Sequence, residues 1–184
     1  MKSQLVIAGL FAVGSFTAQD ISNFLPMNNV LDINPSFAGS NGGLRVQANY
    51  INIWPSLSGR NINSSLVADM SVNGGKSGIA VYANRANFAQ GVQINNNIGV
   101  GYAQRFALKN DDVKIVPSAQ VGLVNVRVDK NSGWYPLIAA SITPDYISKN
   151  NLEINTGLLV QVQEKLSVGF GAFHINTPDV GVVG

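Results

Sequence analysis

His174 is the first residue to weigh for chemistry, because an imidazole can act as general base, as partner to a nucleophile or as metal ligand. It is the sole histidine in the chain, and there is no cysteine. Without further ligands or a serine motif, neither a multi-histidine metal site nor a catalytic triad can be assembled around it. A strand-end residue that closes a turn needs no catalytic role. Asp111-Asp112 suggests a carboxylate pair or a calcium loop, yet the Asp-x-Asp-x-Asp spacing with a downstream Glu is missing. Preceded by Asn110, the pair reads as hairpin chemistry. Gly99-x-Gly101 lacks the third glycine and the following helix of a phosphate cradle. Glycines in such strands mark bends or close approach of backbone and partner. The sequence therefore predicts no catalytic residue, no metal ligand and no cofactor, and an enzyme is the least favoured class.

Charge is scarce. Charged residues make up 12% of the 184, against roughly 25% in soluble globular domains. Gly, Asn, Ser and Gln stand in their place, which suits a surface apolar outside and neutral-polar inside. The net charge of +2 comes from singly scattered cations, so no basic patch exists to track a phosphate backbone and nucleic acid is not expected as a partner. The lack of cysteine rules out a disulfide framework but leaves the compartment open. Four arginines are more informative. Arg45, Arg85, Arg105 and Arg127 each sit in an alternating run among Asn and Gln. A charge facing lipid costs about 2–4 kcal/mol at the bilayer midplane, so all four are expected to face a lumen. There they can pair with Asp69 or Asp129 as filling, or contact a plug or passenger segment; filling is the favoured reading.

The elements that must hold these residues are strands. Met1-Lys2 followed by the apolar run from Leu5 to Val13 reads as a secretory signal peptide, residues 1–18, with cleavage expected after Ala18. Residues 19–42 read as irregular, dense in turn formers. No later segment carries the roughly 18 consecutive apolar residues of a membrane helix. From residue 43 onward the signal is period two: Leu44, Val46, Ala48 and Tyr50 against Arg45, Gln47 and Asn49, then Ile79, Val81 and Ala83, then Val124, Val126 and Val128. Compact turns separate the runs at 73–76, 89–91, 109–112 and 163–165, with longer gaps at 55–60 and 131–150. Alternating runs of about ten residues, short connections on one side and long on the other, are the signature of membrane barrels. On this reading Trp54, Trp134, Tyr135 and Tyr146, near strand ends, form an interfacial aromatic girdle; on a soluble sandwich they would be core or loop packing. The fold class is all-β, an antiparallel transmembrane β-barrel. About seven strands are visible, and an open sheet cannot rest in hydrocarbon. Residues 43–184 are therefore expected to be the N-terminal part of an outer-membrane barrel of about 14 strands.

Three stretches carry a resemblance. The first is Asp32-Ile33-Asn34-Pro35-Ser36-Phe37-Ala38-Gly39-Ser40, with Phe24-Leu25-Pro26-Met27-Asn28-Asn29 before it and Gly43-Leu44 after. The second is Trp54, after the first strand. The third is Gly169-Phe170-Gly171-Ala172-Phe173-His174-Ile175-Asn176-Thr177-Pro178-Asp179. Together they resemble the PorP/SprF family, with Asn34, Pro35, Phe37, Ala38, Gly39, Ser40, His174, Asn176 and Pro178 as its motif positions. The chain departs from the family at Trp54-Pro55, where a small-residue turn is more usual. The resemblance implies an outer-membrane protein of the type IX secretion and gliding system of Bacteroidetes, exported by the Sec route with its signal peptide removed. It also implies a chain roughly twice this mature length, with the third stretch near the middle. Its expected partners are outer-membrane lipid, a large secreted adhesin held through its C-terminal sorting domain, and other type IX secretion or gliding components. The expected role is to bind, anchor or assist surface display of that adhesin, with loops 54–60 and 131–150 as contacts. Two alternatives stay open, a diffusion channel or small-molecule transporter and a secreted soluble β-sandwich module.

Overall fold

A computed structural model describes residues 29–108, 112–129, 146–163 and 165–178. The signal segment 1–18, residues 19–28, Trp134, Tyr135 and most of the 131–150 gap lie outside the described residues.

The period-two runs become β1 (Arg45–Ile53), β2 (Asn61–Val72), β3 (Ser77–Phe88), β4 (Gln93–Gln104), β5 (Phe106–Leu108), β6 (Val113–Asp129), β7 (Tyr146–Val162) and β8 (Leu166–Ala172). All neighbours pair antiparallel, in the order β1-β2-β3-β4-β6-β7-β8. β5 resumes the path of β4 beyond Arg105, and both pair with β6. The result is a curled half-barrel of seven strands. Two strands start earlier than their alternation reveals. β2 opens on Asn61, Asn63, Ser64 and Ser65, and β7 passes through Ser148, Lys149 and Asn150. Polar residues on both faces hide the period there.

The up-and-down order puts connections 54–60, 89–92 and 130–145 at one end of the sheet and turns 73–76, 109–112 and 163–165 at the other. One end thus collects the long loops, the asymmetry of outer-membrane barrels.

Register assigns the two faces. Val46, Ala68, Val81, Val100, Val121 and Ile154 form one cross-strand row, and Ala48, Leu66, Ala83, Ile98, Leu123 and Leu152 form the next. Apart from the half-buried Ala68 and Ile154, these apolar side chains stand exposed, Val100 at 59% and Leu123 at 60%. On the opposite face Arg45, Gln47 and Asn49 are half-buried. A soluble sandwich buries its apolar face, whereas here that face looks outward. Along β6 the outward apolar positions run from Val113 to Leu123. That span is roughly 33 Å along the strand, and a barrel tilt of about 40° projects it to about 25 Å, the height of an apolar membrane band.

The other face is covered by the chain itself. Residues 29–42, expected to be irregular, contain a helical turn, α1 (Val30–Ile33), and a 3-10 turn at Pro35–Phe37. Asn29 caps the first through Leu31 N–H, and Asn34 caps the second with Pro35 at its first position. Leu31 and Ala38 of this segment share a buried cluster with Val67, Ala80, Tyr82, Ala103, Val116 and Leu159 of the sheet. The core lies between the segment and the concave face.

Candidate functional site

The motif positions 34–40 form a box locked to the inner face. Asn34 uses both ends of its amide: Oδ1 accepts from Ser36 N–H at 2.9 Å, and Nδ2 donates to the Leu158 and Phe170 carbonyls of β7 and β8 at 3.1 and 3.2 Å. Ser36 Oγ meets Ser118 Oγ at 2.9 Å. Pro35 is buried, Phe37 packs against the core, and Ser40 is exposed. Gly39 has a φ of +65°, and any Cβ there would stand 2.7 Å from the Met70 carbonyl. Its N–H donates to Asp69 Oδ2 at 2.6 Å. Opposite, the backbone of Ala38 lies so close over Gly78 that a side chain at 78 would overlap its carbonyl oxygen.

The four arginines divide. Arg45 lies on the inner face and holds Asp69 through Nε at 2.7 Å and Nη2 at 3.0 Å. Asp69 is 2% exposed, so this pair neutralises a carboxylate beneath the box. Arg105, at the break between β4 and β5, donates to the Ala38 carbonyl of the box and to the Gly75 carbonyl. Arg85 and Arg127 were expected in the lumen, and here the expectation fails. Arg85 is in register with Ser64 and Asn96, and Arg127 with Ile94 and Ser148, on the face that carries Val81 and Leu123. The cost of charge in lipid does not forbid this, because both lie past the apolar rows, among Ser64, Asn87, Asn96, Asn125 and Asn150. The outward face simply becomes polar toward the long-loop end.

The second motif closes the other side. His174, half-buried with a φ of +54°, donates its backbone N–H to Asn155 Oδ1 at 2.7 Å. Its Nδ1 lies 3.6 Å from Glu153 Oε1. Asn176 imitates a strand residue beyond the end of β8: Oδ1 accepts from Ile154 N–H at 2.9 Å and Nδ2 donates to the Leu152 carbonyl at 2.6 Å. Pro178 is the last described residue. Between the two motifs lies a polar cavity bordered by Asn29, Tyr82, Asn97, Gln120, Glu153 and His174. Sequence reading missed Tyr82, Asn97 and Glu153. The available signal was an aromatic and a carboxylate at inward positions, in one cross-strand row with Gly99 and Gly122, which make room for a ring.

Of the girdle candidates, Trp54 is exposed in the loop after β1, beyond Tyr50 and Asn52 and so outside the apolar rows. Tyr146 begins β7 opposite Asp129, and Trp134 and Tyr135 lie outside the described residues. Tyr50, Tyr102, Phe106 and Phe170 are the exposed aromatics that strand registers put on the outward face.

Neither the curated proteins nor the solved structures yield a match to this chain. A family model does match, over residues 16–182, described as type IX secretion system membrane protein PorP/SprF. That span takes in both motif boxes and every strand of the half-barrel. With its outward apolar rows and its inner face closed by its own N-terminal box, the chain belongs to the PorP/SprF family of type IX secretion system membrane proteins.

Proposed function

We propose that this protein sits in the outer membrane and binds a large exported adhesin through its C-terminal sorting domain, anchoring it or assisting its display. The observation that carries the reading is the inner face. Residues 34–39 occupy it with hydrogen bonds to β2, β6, β7 and β8, and beside them lies a cavity lined by many polar residues, among them Asn49, Asn63 and Asn97. A concave face occupied by the chain's own N-terminal segment suits a receptor better than an open conduit, which weighs against the diffusion channel. The exposed apolar rows support lipid as the outer solvent and weigh against a soluble sandwich. Loops 54–60 and 131–150, at the end of the sheet nearest the cavity-lining Ile51 and Asn63, are the proposed contacts for the sorting domain, and other secretion or gliding components complete the assembly.

Detergent extraction of the tagged full-length protein from native outer membranes, with mass spectrometry of what co-purifies, tests this. A large adhesin in near-equal amount is the expected result. A lone heat-modifiable barrel that conducts ions in a planar bilayer would move the function to the channel class.

A further inference from the structure

Above the box, the inner face keeps a polar cavity of about 220 Å³. The Tyr82 hydroxyl and Asn97 Oδ1 converge over Gly122, where a Cβ would stand 2.5 Å from the first and 3.1 Å from the second. Gly122 is in register with Glu153. A phenol, an amide oxygen and a carboxylate thus meet at one place. The amide oxygen and the carboxylate want donors, and the phenol oxygen can accept one besides giving its own proton. Tyr82 is 8% exposed, and among the described residues its hydroxyl has no partner, nor do Oδ1 of Asn63, Asn84 and Asn97. Glu153 is 3% exposed and accepts one amide N–H from Asn97 and one from Asn155, each at 2.6 Å. The basic group beside it is His174, at 3.6 Å. Two neutral amides leave half of a carboxylate's acceptor capacity unused, and a buried carboxylate keeps its charge only where a cation or several donors answer it.

We infer that this cavity receives the cationic head of one lysine or arginine side chain, carried on a segment of the exported partner. The inference rests on the binding reading above. An ammonium brings three donors and a guanidinium five, and neither brings an acceptor, which complements a lining rich in unanswered oxygens. Asp32 also borders the cavity, and Arg85 borders it from a strand position whose register belongs to the outward face. A divalent cation fits less well, since no group of three or more His, Cys, Asp or Glu occurs among the described residues and such sites draw on several carboxylates. An anion would need donors, and the cavity sets two unpartnered ones, Asn29 Nδ2 and the Tyr82 hydroxyl, against the unanswered oxygens of Asn63, Asn84 and Asn97.

The test uses the full-length protein in detergent with the partner that co-purifies from native membranes. Glu153→Gln keeps the shape and removes the charge, so the folded, heat-modifiable variant is expected to hold the partner about 30-fold less tightly, the cost of stripping one member of a buried charge pair. Asn84→Lys supplies an ammonium from within and is expected to expel the partner while leaving the barrel folded. It decides the matter if Glu153→Gln does not fold. As a probe, Nα-acetyl-lysine amide should release the partner at concentrations where Nα-acetyl-norleucine amide and sodium chloride of equal ionic strength do not. Full retention of the partner by a folded variant, or equal release by salt, overturns the inference and leaves the binding reading intact. Wild-type protein that carries no partner removes both.

Discussion

The Asp69 carboxylate has no exposed surface, and it is answered from two sides, by the Arg45 guanidinium at 2.7 Å and by the Gly39 N–H at 2.6 Å. It ties a strand residue to the box, so its loss leaves a half-buried cation and an unmade backbone bond together. Asp69→Ala is expected to lower barrel stability by about 3 kcal/mol, the cost of breaking one partner of a buried pair. The urea midpoint of the heat-modifiable form on gels reads this. Gly78 tests the same contact from beneath. Gly78→Val forces the backbone of residues 38–39 off the sheet, because a side chain there overlaps the Ala38 carbonyl. Protease should then reach segment 29–40 in the folded, detergent-held barrel, where the wild-type segment resists. A protected segment in that variant would mean that the box is held by something other than this close approach.

At the level of the strand, the outward face changes character along its length. Val100 stands among Val81 and Val121, whereas Asn96, four residues along the same strand and on the same face, stands between Arg85 and Asn125. The substitution Val100→Arg is therefore expected to cost about 2–4 kcal/mol in a lipid bilayer, and Asn96→Arg about 0–1 kcal/mol, following the depth dependence of charge on a barrel's lipid face. Unfolding titrations in phospholipid vesicles compare the two directly. Equal costs would place the apolar rows somewhere other than in lipid. Arg85 and Arg127 fall on the tolerant side of this boundary, which is why a membrane strand can carry them outward.

For the whole molecule, the meander sorts its connections into a long-loop end and a short-turn end, and the cavity-lining residues Ile51 and Asn63 lie near the first. The chain has no cysteine, so single introduced thiols report topology without background. Ser58→Cys, in the 54–60 loop, is expected to react with a membrane-impermeant maleimide on intact cells. Lys76→Cys, in the turn between β2 and β3, is expected to react only after the outer membrane is permeabilised. The reverse pattern would invert the protein in the membrane and put the long-loop end on the periplasmic side.

Local chemistry was enough to show an all-β meander and most of its turns, because a period of two and a turn residue are written within a few positions of each other. The resemblance to the PorP/SprF family marked 34–40 and 174–178 as special. What those residues touch was not legible, since Asn34 meets Leu158 and Phe170 across more than a hundred positions, and no local pattern encodes that pairing. The faces of Arg85 and Arg127 were misread for a related reason. Parity says which residues share a side, but where the apolar belt ends depends on how neighbouring strands stagger. The cavity of Tyr82, Asn97 and Glu153 exists only once β3, β4 and β7 are brought to one register and the N-terminal box is laid across them; tertiary structure alone decided that these donors and acceptors would meet.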